Sequence, residues 1–265
     1  MKYDIGDLLN SWPFDPDEFI ARRITARDGT EKIQIRIDMG ILQLDVSGRP
    51  DGHRPHGAES FLHHFRQSLR SRPGSLPRSG PELDEQSCED LFQEAWQYYQ
   101  RYLALFFLED YEGVERDTGH NLAIFDLVHE HADSDEVKWY FEQYLPHAVM
   151  MQARARAMAA LDAKDYDAAL RHVQRGIDRI EQFLGEWEGE EDVMDEDCPE
   201  LTFLSDWYEE LEKERPLSQK EQLERDLHVA VEAENFEEAA RLRDKLRTLR
   251  PAFLNPSPER SPSTS

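Results

Sequence analysis

Residues Ser218 to Arg250 read SQKEQLERDLHVAVEAENFEEAARLRDKLRTLR, and the local signals of this stretch agree on one structure. Ser218 and Glu221 have the spacing of a capping box, in which each side chain bonds a backbone N–H left free at a helix start. Asn235 and Glu238 repeat this pairing for a second helix. Helices joined by so short a turn pack antiparallel. The sequence therefore predicts a helical hairpin.

The same stretch carries apolar residues at helical spacing. Leu223, Leu227 and Val231 recur every four residues, which places them on one face of the first helix. We expect the apolar residues to fill the seam of the hairpin and its contact with a partner, with the charge of Arg243 at the edge of that contact. The candidate partner-binding residues are Leu227, Val231, Phe236, Ala239, Leu242, Arg243 and Leu246.

The pattern from Val231 to Leu249 is V-x-A-E-N-F-E-E-A-A-x-L-R-D-x-L-x-x-L. This pattern resembles the UVR motif of the UvrB and UvrC repair proteins, over residues 218–250 only. The resemblance implies an interaction module without chemistry of its own. It also implies that the partner is a protein with a UVR-like hairpin or a second copy of this chain, joined by coiled-coil-like contacts.

Charge is distributed unevenly along the 265 residues, whose net charge is −25. Up to residue 80 there are 12 Lys and Arg against 11 Asp and Glu, which leaves 19 against 45 for the remainder. An acidic surface repels phosphate backbones, so we do not expect the C-terminal two-thirds to bind nucleic acid. The sequence has no apolar segment suited to a signal peptide or a membrane span, which predicts a cytoplasmic protein.

The N-terminal part alternates apolar and polar residues. Ile20–Arg27, Lys32–Asp38 and a third segment with Leu42 and Leu44 are separated by turn signals such as Asp28-Gly29. This pattern predicts a three-stranded antiparallel meander within residues 1–70. Because such a sheet needs a cover, the amphipathic stretch Ser60–Leu69 is the nearest candidate for one.

Strand signals end after a Pro- and Gly-rich linker at 71–81. Residues 82–184 show helical patterns whose many apolar positions predict a bundle or an array of helical hairpins. Residues 185–216 form an acidic connector with one short helix, residues 217–250 the hairpin, and residues 251–265 a Pro- and Ser-rich tail expected to be disordered. The predicted fold class is mainly α, and α+β overall.

An internal echo supports the array of hairpins. Leu161–Ala169 matches Val231–Ala239 in character at nearly every position, and Phe107–Val114 is a looser third copy. In each, one helix ends, Asp or Asn caps the next, and an aromatic and then a small residue follow. Residues 153–184 are also loosely similar to a tetratricopeptide repeat, which points to a protein-binding scaffold.

The sequence offers little for catalysis or metal binding. It has neither G-x-x-x-x-G-K-[ST] nor G-x-G-x-x-G, and no C-x-x-C pair, so no nucleotide, metal or other cofactor is expected. The local histidine groups lack H-x-x-x-H spacing. They are His53 with His56, His63 with His64, and His129 with His131.

Three functions follow from these patterns. The first is a non-catalytic adaptor that docks a protein through the hairpin. The second is an accessory factor of nucleotide excision repair that contacts DNA through the near-neutral N-terminal domain. The third is a hydrolase built on the pairs Asp117/His120 and Asp126/His129, although no Ser or Cys nucleophile accompanies them in a recognisable turn. The arginines available for DNA are Arg22, Arg23, Arg27, Arg36, Arg49 and Arg54.

Overall fold

The computed structural model describes residues 4–70, 83–187 and 198–249. Within these ranges lie one three-stranded sheet and ten α-helices. One compact unit ends at Lys213, and a second begins at Glu214. The predicted linker at 71–81 and the predicted tail at 251–265 lie outside the described residues, as does most of the acidic run in the connector.

The sheet is an antiparallel meander, as the turn signals predict. Its strand order is β1-β2-β3, and Ile33 at its centre lies opposite Arg23 on one side and Leu44 on the other. Gly29 in the first turn has a φ of 83°, which glycine adopts without steric cost. A short helix, α1 (Gly6–Ser11), precedes the sheet. The strands are β1 (Ala21–Thr25), β2 (Glu31–Ile37) and β3 (Gly40–Asp45).

The helices form the array that the sequence predicts, with one further break that the sequence did not indicate. One helix ends at Phe107 and the next begins at Tyr111, where the third copy of the repeated turn predicts it. The further break lies just before Pro146, which has no backbone N–H to donate and so favours the first turn of a new helix. In the described ranges, no helix combines the length and apolarity needed to cross a bilayer. The helices of the first unit after the sheet are α2 (Phe61–Arg70), α3 (Glu85–Phe107), α4 (Tyr111–His131), α5 (Asp135–Glu142), α6 (Leu145–Asp162), α7 (Tyr166–Glu186) and α8 (Pro199–Glu214).

The sheet is covered on one face by α3, which packs against β1 and β2. The expected cover, Ser60–Leu69, becomes α2, and α2 packs mainly against α3 and α4 instead. The reason is a buried carboxylate: Glu94 of α3 accepts the backbone N–H groups of Phe61 at 2.7 Å and Leu62 at 3.1 Å, which fixes the start of α2 on α3. Sheet and helices therefore share one core and one compact unit.

The side chains on the other face of β2 are also buried, but they are polar. Gln34 and Arg36 are each less than a tenth exposed. Arg36 Nε donates to the backbone oxygen of Trp12 at 2.7 Å, and the Trp12 ring lies 3.9 Å from the Arg22 guanidinium. The N-terminal segment therefore closes the sheet face opposite α3 by cation–π and backbone contacts.

The close crossing of α6 and α7 depends on a glycine. A Cβ atom added at Gly176 would lie 2.8 Å from the Cβ of Ala153 and 3.0 Å from Cδ1 of Leu204, whereas one added at Gly185 would meet nothing within 4 Å. We expect Gly176→Ala to lower the free energy of unfolding by about 1–3 kcal/mol through overpacking. Gly185→Ala, the matched control on the same helix, should raise it by up to about 1 kcal/mol through helix propensity. Urea denaturation measures both, and equal stabilisation by the two variants would contradict the expectation.

Candidate interaction surface

The second compact unit is the hairpin of α9 (Gln219–Glu232) and α10 (Phe236–Leu249). Its start is the predicted capping box. Glu221 N–H donates to Ser218 Oγ at 3.2 Å, and Ser218 N–H donates to the Glu221 carboxylate at 2.8 Å. Arg215 Nη2 also donates to that carboxylate at 2.5 Å. The capping interactions therefore tie the chain just before α9 to its first turn.

The turn between the helices repeats a geometry found twice in the first unit. Glu234 has a φ of 56°, and Glu109 and Lys164 have φ values of 58° and 59° at the equivalent positions. In each turn the following Asn or Asp donates its N–H five residues back at 2.9 Å and accepts a bond from the N–H three residues ahead. The predicted echo of Leu161–Ala169 in Val231–Ala239 is thus confirmed as one recurring helix–turn–helix structure.

The seam between α9 and α10 is narrow and apolar. Ala230 lies opposite Ala239 and Leu242 in one buried cluster, and Leu223 and Leu227 pack against it half-buried. The two alanines have no side chain beyond Cβ, so the helix backbones can approach closely. In the described part of this unit these three residues are the whole fully buried apolar core, which is small for two helices.

Apolar side chains remain exposed at the end of the hairpin that carries the turn. Val229 and Val231 lie in the last turn of α9, and Phe236 is the first residue of α10. Their exposed fractions are 58%, 50% and 69%. Val229 and Val231 are two positions apart on α9, so they point to different sides of that helix, and the three residues are separate exposed side chains. In the first unit, Tyr111 and Tyr166 occupy the position equivalent to that of Phe236. Both are half-buried.

The seven candidate residues therefore divide between two roles. Ala239 and Leu242 are buried in the seam, and Leu227 and Leu246 are half-buried. Val231 and Phe236 are exposed near the turn, and Arg243 is exposed on α10. Val229 is also exposed but is not among the seven candidates, because it lies off the apolar stripe of α9. Its position away from that stripe is the one sequence signal that could have predicted its exposure.

The residues considered for hydrolysis have separate structural partners. Asp117 is buried against Arg101, and His120 Nε2 lies 2.9 Å from the Glu94 carboxylate. Asp126 lies 3.9 Å from Arg179, and His129 Nδ1 lies 2.5 Å from Glu142. Each pair is thus divided between different contacts rather than assembled into one site.

Several of the histidine and arginine candidates are engaged by other groups of the protein. His56 stacks on His64 at 4.3 Å, and among the described residues no group of three His, Cys, Asp or Glu is placed to hold a metal ion. Arg22 donates to Gln34, and Arg36 to backbone oxygens. Arg49 contacts Asp51 and Glu94, and Arg23 pairs with Asp110. Arg27 and Arg54 are exposed.

Comparison with known families identifies the hairpin. The family model described as the UvrB/uvrC motif, UVR, matches residues 218–250. These residues form a UVR motif. The bounds of the match enclose α9, the turn and α10, so the UVR hairpin and the second compact unit coincide in their described part. Neither the curated proteins nor the solved structures compared with this chain gave a match.

The capping box makes the UVR hairpin sensitive to acid. The hydrogen bonds from Arg215 and Ser218 hold the pKa of Glu221 at about 2, below its ordinary value of 4.5. Since the pKa is depressed in the folded state, the carboxylate contributes stability above pH 4.5, and this contribution is lost as the pH falls to about 2. We expect Glu221→Gln to remove that part of the pH dependence of amide exchange in α9. Glu224→Gln on the same helix is the control, and an unchanged profile in Glu221→Gln would refute the assignment.

Proposed function

We propose that this protein is a non-catalytic adaptor that docks a partner through its UVR hairpin. The observation that carries the proposal is the exposure of Phe236. Tyr111 and Tyr166 occupy the same place in the same kind of turn and are half-buried by the helices of the first unit. Phe236 is 69% exposed, so it offers an aromatic side chain that a partner can bury.

The partner that fits is a second helical hairpin with an apolar face. The described seam of the UVR hairpin buries only Ala230, Ala239 and Leu242 fully, and docking against another hairpin would complete a four-helix arrangement with a larger core. Arg243 and Asp244 are exposed on α10, where opposite charges on a partner would fix the register. Proteins that carry the UvrB/uvrC motif, and a second copy of this chain, are therefore the first partners to test.

A direct contact with DNA has less support. Four of the six N-terminal arginines, Arg22, Arg23, Arg36 and Arg49, already contact protein groups. Phosphate binding depends on free basic side chains. In a gel shift with the full chain at low salt, we expect no retardation of damaged or undamaged duplex.

The adaptor proposal predicts a specific loss on truncation of one side chain. Phe236→Ala should abolish partner capture while leaving the helical content unchanged, because the ring is exposed in the free protein. Capture from a lysate of the native host, followed by mass spectrometry, should recover a UVR-bearing protein with the wild type and not with Phe236→Ala. Sedimentation velocity over a concentration series tests self-association with the same two proteins.

Tyr140→Ala is the matched control, since Tyr140 is a half-exposed aromatic residue of α5 in the first unit. It should retain the partner. Deletion of residues 218–265 should lose it. If the deletion retains every captured protein and leaves sedimentation unchanged, the adaptor proposal is wrong.

A further inference from the structure

A small aromatic cavity lies in the first unit, remote in sequence from the UVR hairpin. Its volume is about 110 Å³. Its floor is formed by Ala95 and Tyr102 of α3 and Phe125 of α4, all at least nine-tenths buried. Trp96 and Tyr144 line it as well and are 54% and 44% exposed, so they stand where the cavity meets solvent. The cavity therefore has a closed apolar floor and an aromatic mouth.

One side-chain oxygen of a residue that lines this cavity has no hydrogen-bond partner. Asn121 of α4 is 3% exposed and lines the cavity. Its Nδ2 group donates to the backbone oxygen of Ala95 at 3.0 Å, which fixes the orientation of the amide because a carbonyl oxygen only accepts. Its Oδ1 atom is buried with no hydrogen-bond partner. Since an unpaired buried acceptor is costly, this atom calls for a donor.

Two other polar groups at this cavity are paired with each other. The hydroxyl of Tyr102 lies 3.0 Å from Nδ1 of His147, and the two groups share that hydrogen bond. Desolvation lowers the pKa of His147, so the imidazole is neutral near pH 7. The Tyr99 ring packs 5.5 Å from His147 and 5.3 Å from Tyr102. The cavity thus presents aromatic walls without a formal charge, and one residue of its lining, Asn121, carries a buried acceptor without a hydrogen-bond partner.

We propose that this cavity is a binding site for a free small molecule with one aromatic ring and an O–H or N–H group. The ring would lie among Tyr99, Tyr102 and Phe125, and its O–H or N–H would donate to Asn121 Oδ1. An apolar cavity of about 150 Å³ in another protein binds benzene. This cavity is smaller, at about 110 Å³, but the half-exposed Trp96 and Tyr144 at its mouth leave room for the ring to extend toward solvent. The absence of a cationic wall excludes aromatic carboxylates from the proposed class. The proposal is independent of the adaptor function, since it uses no residue of the UVR hairpin.

Phenol and toluene test the proposal, because they match in size and differ in the donor. Ligand-observed NMR titration of the full chain measures their dissociation constants. The wild type should bind phenol at least fivefold more tightly than toluene, although toluene is the more hydrophobic. Asn121→Leu should remove the acceptor and reverse this preference. Absence of saturable phenol binding, or a phenol preference that survives in Asn121→Leu, would overturn the proposal.

Two further variants keep the test decisive if Asn121→Leu fails to fold, which circular dichroism and thermal unfolding would reveal. Trp96→Ala and Tyr144→Ala change exposed side chains at the mouth and should each weaken phenol binding severalfold. Phe107→Ala, an exposed aromatic residue at the end of α3 outside this cavity, should leave it unchanged. Equal effects of the three variants would contradict the site.

Tighter binding of N-acetyltyrosinamide than of phenol would show a protein side chain as the occupant and overturn the free-ligand proposal.

Discussion

Asp117→Ala is expected to lower the free energy of unfolding of the first unit by about 3–5 kcal/mol. The side chains of Asp117 and Arg101 are both fully buried and form a bidentate pair, with Arg101 Nε to Oδ2 at 2.6 Å and Nη2 to Oδ1 at 2.9 Å. Removing the carboxylate leaves the guanidinium charge in the core with only the backbone oxygens of Asp45 and Gly48 as acceptors. A loss of this size is a large share of the stability of a single domain.

Two controls separate the buried pair from a general effect of losing acid. Asp126 lies on the same helix, and its side chain is 60% exposed. Asp126→Ala should therefore change the free energy of unfolding by less than about 1 kcal/mol. The double variant Arg101→Met with Asp117→Val should recover part of the loss, because it removes both charges at a similar total volume. Urea denaturation followed by circular dichroism provides the comparison. A cost below about 1 kcal/mol for Asp117→Ala would refute the structural role assigned to the pair.

Asp117 also shows how far the sequence alone determines the fold. The three-residue spacing of Asp117 and His120 placed both on one helix, which is correct, but it also suggested that the two share a chemical role. Their partners, Arg101 and Glu94, lie on α3, and no local pattern links a helix to the next one in space. The pairing depends on packing, and packing is a long-range property of the chain.

Sequence patterns that span only a few residues predicted the sheet and the start of the hairpin correctly. The alternation of Ile33 and Ile35 and the turn at Gly29 predicted the sheet, and Ser218 with Glu221 predicted the start of the hairpin. The cover of the sheet could not be predicted, because α2 and α3 are both amphipathic and the choice depends on Glu94 capping α2.

The partner-binding residues named from the sequence stay a prediction, and the structure shows only where each of them lies. Periodicity identified the apolar residues of the UVR hairpin without showing which of them the hairpin uses for itself. Leu242 and Phe236 look alike in the pattern, yet one is 6% and the other 69% exposed. The difference arises because Leu242 packs with Ala230 and Ala239 in the seam, whereas Phe236, at the end of the hairpin, lies outside that cluster and lacks the further helices that half-bury Tyr111 and Tyr166. Exposure of this kind follows from the three-dimensional ends of helices rather than from their periods.

Leu242→Ala is expected to unfold the UVR hairpin while the first unit remains folded. Leu242 is one of three buried apolar residues in the described part of that hairpin, and large-to-small changes at such sites cost about 2–5 kcal/mol. A two-helix unit with so small a core has little stability to lose. Hydrogen exchange read by mass spectrometry should show loss of protection in α9 and α10, with protection in α3 and α4 unchanged. Val229→Ala, which shortens an exposed apolar side chain of the same hairpin, should preserve protection throughout. If Leu242→Ala leaves α9 and α10 as protected as in the wild type, the seam of Ala230, Ala239 and Leu242 is not what holds the hairpin together.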